Sequence, residues 1–109
     1  MKIMGEKKTF ITVRITEQMM QLLYKFISMY DTSLDTEEAI QILVDRFLLS
    51  PQYVQERATK ALREPMSVMT SVALRPDSAD AVRKFAEENA TSVSHVIRLS
   101  ILEGAKNLY

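Results

Sequence analysis

Side chains that ordinarily do covalent or acid–base chemistry are sparse in this 109-residue chain. There is no cysteine and one histidine, His95, which rules out disulfides, thiolate chemistry and an ordinary zinc site. Serines are plentiful, but no His or Asp stands at an activating spacing. With two glycines there is no Gly-rich phosphate loop. The carboxylates are scattered along helix surfaces and turns. These features point away from an enzyme, a cofactor, a metal or a small-molecule substrate. What remains is a set of side chains at two-residue spacing: Phe10, Thr12 and Arg14, and again Met69, Ser71 and Ala73. Arg14 carries a positive charge, Thr12 and Ser71 carry hydroxyls that can donate or accept, and Phe10, Met69 and Ala73 can offer apolar contact only.

Two stretches position those residues. In residues 8–16, Ile11, Val13 and Ile15 fall on one side and Phe10, Thr12 and Arg14 on the other. Period 2 with β-branched residues predicts a half-buried strand. A second such strand is predicted over 67–74, with Val72 and Leu74 on the inner side. Each strand precedes two helices. Thr16 can cap the first, whose apolar face is Met19, Leu22, Leu23, Phe26, Ile27 and Tyr30. Asp35 and Glu38 have capping-box spacing before the stripe Ile40, Leu43, Val44, Phe47 and Leu48. Ser50-Pro51 ends that helix, and Glu64-Pro65 closes a helical connector whose apolar side is Val54, Ala58, Ala61 and Leu62. Pro76 and Asp77 open a helix with Ala79, Val82, Phe85 and Ala86 inside. Ser94 is the expected N-cap of the last helix, which carries Ile97, Ile101, Ala105 and Leu108.

The halves match in order. At an offset of 59, Val13 meets Val72, Leu23 meets Val82 and Phe26 meets Phe85. At 57, Ile40 meets Ile97 and Val44 meets Ile101. A turn easily absorbs the two-residue difference. The fold expected is therefore mainly α, with one two-stranded antiparallel β-ribbon made by pairing the two strands. Pairing within one chain and pairing between two chains both remain open.

Apolar residues are 47% and charged residues 26% of the chain, an ordinary globular balance. No apolar run approaches the roughly 20 residues that span a bilayer, and the N-terminus lacks a signal-peptide core. A cytoplasmic protein without membrane contact is expected. The net charge is +0, so a polyanionic partner requires charge concentrated on one face.

Ile11-Thr-Val-Arg-Ile-Thr16, Val72-Ala-Leu-Arg-Pro-Asp77 and Ser92-Val-Ser-His-Val-Ile-Arg98 resemble the ribbon-helix-helix (MetJ/Arc-type) DNA-binding family, in a tandem two-repeat form of the TraY kind. The residues themselves suggest a mobile basic arm at 1–7 and a helical connector at 51–65; the resemblance covers repeat 1 at 8–50 and repeat 2 at 66–109 and implies a pseudo-dimer in one chain. It implies a ribbon in the major groove of double-stranded DNA, read by Phe10, Thr12, Arg14, Met69, Ser71 and Ala73. It also implies a phosphate at the second helix of a repeat, where Ser92, Ser94 and His95 make a neutral, donor-rich terminus. Asp35, Glu37 and Glu38 would repel a phosphate from the other. Lys7 and Lys8 are further phosphate candidates. Because Ala73 occupies the place of Arg14, the expected site is non-palindromic. The implied roles are transcriptional repression or autoregulation, or accessory DNA binding at a plasmid (conjugation) or viral locus, with self-association on adjacent sites offsetting the zero net charge. The alternative is a protein-interaction module, antitoxin-like or for assembly, without DNA readout.

Overall fold

A computed structural model describes residues 8–49 and 65–106. The described elements are β1 (Thr9–Ile15), α1 (Glu17–Tyr30), α2 (Thr36–Leu49), β2 (Val68–Leu74), α3 (Pro76–Glu88) and α4 (Val93–Lys106). The chain is mainly helical with one two-stranded antiparallel sheet, and strand, helix, helix occurs twice in that order. The expected arm with Lys7, the connector stripe and Leu108 lie outside the described residues.

Local chemistry sets each boundary. Thr16 caps α1: its Oγ1 accepts a hydrogen bond from the Met19 N–H at 3.1 Å. At α2 the capping box is reciprocal. The Glu38 N–H donates to Asp35 Oδ1 at 2.8 Å, and the Asp35 N–H donates to Glu38 Oε1 at 3.1 Å. Pro76 takes the first turn of α3, where its missing N–H costs nothing. The start of α4 differs from the expectation. Ser92, not Ser94, is the cap, its Oγ accepting from the His95 N–H at 3.1 Å. Ser94 lies inside the first turn.

The helix–helix turns also differ from each other. Asp31 ends α1 with an Asx turn, Oδ1 accepting from the Ser33 N–H at 2.9 Å and from the Ser33 hydroxyl at 2.7 Å. At the end of α3, the Thr91 N–H reaches the Ala86 carbonyl at 2.9 Å and the Ala90 N–H reaches that of Glu87 at 3.2 Å. That is the Schellman pattern, with Ala90 at φ 52° where glycine is usual. The second helix–turn unit is thereby two residues shorter. Accordingly, Val68 and Pro76 lie 59 residues after Thr9 and Glu17, and Val93 and Lys106 lie 57 after Thr36 and Leu49.

One core serves both halves. The inner ribbon face contributes Val13, Ile15, Val72 and Leu74, all buried. Met19, Leu23 and Phe26 come from α1, Ile40, Leu43, Val44 and Phe47 from α2, Ala79, Val82 and Ala86 from α3, and Val96, Ile97, Leu99 and Ile101 from α4. Each buried Leu or Ile contributes about 1.5–3 kcal/mol relative to exposure. Tyr30, expected inside, is instead exposed: it stacks on Phe26 with centroids 5.0 Å apart, under the Arg46 guanidinium at 4.9 Å. A tyrosine in the last turn of α1 can cover the core edge and keep its hydroxyl wet.

Candidate nucleic-acid interface

The register builds the outer face of the ribbon in three tiers. Phe10 pairs with Ala73, Thr12 with Ser71, and Arg14 with Met69. Alternation in a strand sends these six away from the core once Val13, Ile15, Val72 and Leu74 are committed to it. Phe10 is 71% and Met69 60% exposed, which a strand face tolerates poorly in water unless something covers it. Thr12, Arg14 and Ser71 are also exposed. Ala73 is only 4% exposed, contrary to the expectation of an offered methyl. Its partner across the strands is a phenylalanine, and paired Cβ atoms lie about 4.5–5.5 Å apart, so a methyl there keeps little surface of its own.

The cations of the described chain are mostly engaged. Arg75 bonds Asp45 at 2.7 Å, Arg83 pairs with Asp80 at 3.2 Å, and Arg46 lies over Tyr30. The Arg98 Nε donates to the backbone carbonyl of Arg14 at 2.8 Å. The Arg14 guanidinium has no partner among the described residues. Lys8, just before β1, is exposed as well.

Two long-range bonds set the helices against the ribbon ends. Arg98 ties α4 to the Arg14 end. Gln41, which occupies the same place in α2 that Arg98 has in α4, accepts from the Arg75 N–H at 2.8 Å and so ties α2 to the far end of β2. Asp45 and Ser78 complete that junction: Ser78 donates to Asp45 Oδ1 at 2.8 Å, and Gln41 donates to Ser78 and Asp45, each at 3.0 Å. Sequence reasoning missed this cluster and gave Arg98 no structural role. The one available signal was that Gln41 and Arg98 fall at the repeat offset.

The helix starts near these ends differ in charge. Ser94 lies one turn before Arg98 on the same helix face, so α4 turns a neutral start toward the Arg14 end. Ser92 is exposed, and Ser94 and His95 are half-buried. Burial, and then the positive charge of Arg98, hold the His95 pKa below its ordinary value, which favours a neutral imidazole. Burial likewise lowers that of Arg98. At α2, Asp35 and Glu38 already occupy each other's N–H groups, and Glu37 adds a third carboxylate. That terminus has little left to offer an anion. Among the described residues no group of three His, Cys, Asp or Glu side chains is placed to hold a metal, and no helix is long and apolar enough to cross a membrane.

No family model, curated protein or solved structure matches the chain.

Proposed function

We propose that this chain binds double-stranded DNA sequence-specifically, as a tandem ribbon-helix-helix pseudo-dimer whose β-ribbon enters the major groove. The observation that carries the reading is Arg14. On an outward ribbon face it is the one described arginine whose guanidinium has no partner among the described residues. A two-stranded ribbon fits the major groove, and a free guanidinium there finds guanine O6 and N7. Thr12 and Ser71 supply hydroxyls at the centre. Lys8, Ser92, Ser94 and His95 are the groups assigned to the backbone in this reading. The role that fits is repression of its own locus, or accessory binding at a plasmid or viral locus. With a net charge of +0, a single molecule gains little from phosphates, and neighbouring molecules on adjacent sites strengthen the complex.

The test is binding of the full chain, and of Arg14→Ala, to duplex DNA from its own locus at two salt concentrations. Specific binding that weakens with salt is expected, with Arg14→Ala losing about 1–3 kcal/mol at one site position. Absence of binding by the wild type at low salt sinks the reading.

A second reading has its own observation. Phe10 and Met69 expose large apolar side chains on the same face. A protein partner seated on the ribbon would cover them, making the chain an interaction module. Co-purification of a stoichiometric partner that is lost in Phe10→Asp, together with no DNA binding, would select this reading.

A further inference from the structure

The outer face of the ribbon has direction. One end is wholly apolar, Phe10 beside the nearly covered Ala73. The middle is hydroxylic, Thr12 beside Ser71. The other end is cationic, Arg14 beside Met69. The flanking helices repeat this direction. The neutral start of α4 is tied to the Arg14 end through Arg98, whereas α2, with Glu37 and Asp45, is tied to the far end of β2 through Gln41. The chain thus offers a duplex two chemically different ends.

Resting on the DNA-binding reading above, we propose that the ribbon reads a polar element in one orientation. Arg14 takes a guanine at one flank, and Phe10 packs on the 5-methyl groups of thymine at the other. Apolar contact with the thymine methyl is the one base-specific interaction open to a phenyl ring in the major groove. Phe10 and Arg14 are four residue steps apart, a span of about 14 Å at ~3.4 Å per residue. With bases stacked about 3.4 Å apart, the thymine flank lies about four base pairs from the guanine. Removal of one methyl from a buried contact weakens binding about fourfold.

The experiment uses the full chain and its preferred duplex, selected from a random library. Thymines are replaced one at a time by deoxyuridine, which lacks only the methyl, and guanines by 7-deazaguanine, which lacks only the N7 acceptor. Expected is a 7-deazaguanine penalty on one flank, absent in Arg14→Ala, and an approximately fourfold uracil penalty on the other. In Phe10→Ala the uracil penalty disappears and the 7-deazaguanine penalty stays. Any uracil penalty on the guanine flank, next to Met69, is unchanged in Phe10→Ala. A specific duplex that shows no uracil penalty on the far flank, or one that survives in Phe10→Ala, overturns this inference and leaves DNA binding standing. Selection of no preferred duplex overturns both. Phe10 is exposed, so its removal leaves the core intact, and circular dichroism of the variant verifies this.

Discussion

Thr12 and Ser71 face each other at the middle of the ribbon, and they are also the residues that the repeat offset makes equivalent. In an antiparallel pair whose strands are related by a fixed offset, one position alone can meet its own counterpart. Here that position is the centre of the outer face, so Phe10 and Met69 take matching places at opposite ends, as do Arg14 and Ala73. The hydroxyl pair is alike on both sides of this centre, and the arginine is not. Direction in the ribbon therefore comes from one substitution in an otherwise matched set.

The same pairing gives a direct check of chain connectivity. The protein has no cysteine, so Thr12→Cys with Ser71→Cys introduces the only two thiols. Paired strand residues have Cα atoms about 4.5–5.5 Å apart, within the range a disulfide accepts. Oxidation at low protein concentration is expected to give a cross-linked monomer on a non-reducing gel. Covalent dimers alone would mean that the strands pair between chains.

The Asp45 carboxylate joins α2 to the β2–α3 junction by accepting from Arg75 at 2.7 Å and from Ser78 at 2.8 Å. Ser78 is buried, so it has no water to fall back on. Asp45→Ala is expected to destabilise the fold by about 1–2 kcal/mol, the ion-pair share being reduced because Arg75 is partly exposed. The Asp45 hydrogen bond raises the Arg75 pKa above its ordinary, already strongly basic value, so Arg75 stays charged near neutrality. Urea unfolding of the single and double variants with Arg75→Ala should show a coupling of about 0.5–1 kcal/mol. Additive losses would mean that the two side chains act separately.

Ala90 holds a left-handed conformation, at φ 52°, that its Cβ disfavours by about 1–2 kcal/mol. Glycine removes that cost but gives the unfolded chain more freedom, worth about 0.4–1 kcal/mol. The balance favours Ala90→Gly by a few tenths to about 1 kcal/mol. A higher urea midpoint with an unchanged slope would show it. A lower midpoint would mean that the turn does not carry this strain.

Much of the fold was written in residue spacing. The alternation in 9–15 and 68–74 committed both strands to one core, and Thr16 and the Asp35–Glu38 pair marked two helix starts by chemistry that acts within four residues. The offsets of 59 and 57 recur in the element boundaries because the two helix turns differ in length. Other features were not legible. Ser92 and Ser94 are equally good caps by type, and only the path of the turn decides between them. Ala90 carries no glycine signal, so the left-handed end of α3 was silent. The Gln41–Arg75 bond joins residues far apart in the chain, and no local pattern announces such a contact. For the candidate site, parity exposed Arg14. That it has no described partner depended on which side chains the fold brings to the Arg14 end of the ribbon, which is a property of packing.

His95 gives the pH dependence its sign. Burial, with a smaller contribution from Arg98, lowers its pKa in the folded chain, while the unfolded chain keeps the ordinary value of about 6.5. Between the two values the unfolded state binds more protons, so stability rises with pH. The contribution is complete above the unfolded value and is lost as pH falls through the folded one. His95 is the only histidine, and Asp31, held low by its Ser33 hydrogen bonds, titrates in more acid solution. The urea midpoint is therefore expected to fall between pH 7.5 and 5 in the wild type and to stay nearly level in His95→Gln. An equal slope in both proteins would assign the effect elsewhere, and a midpoint that rises on acidification would mean that the folded chain holds the His95 proton more tightly than the unfolded one.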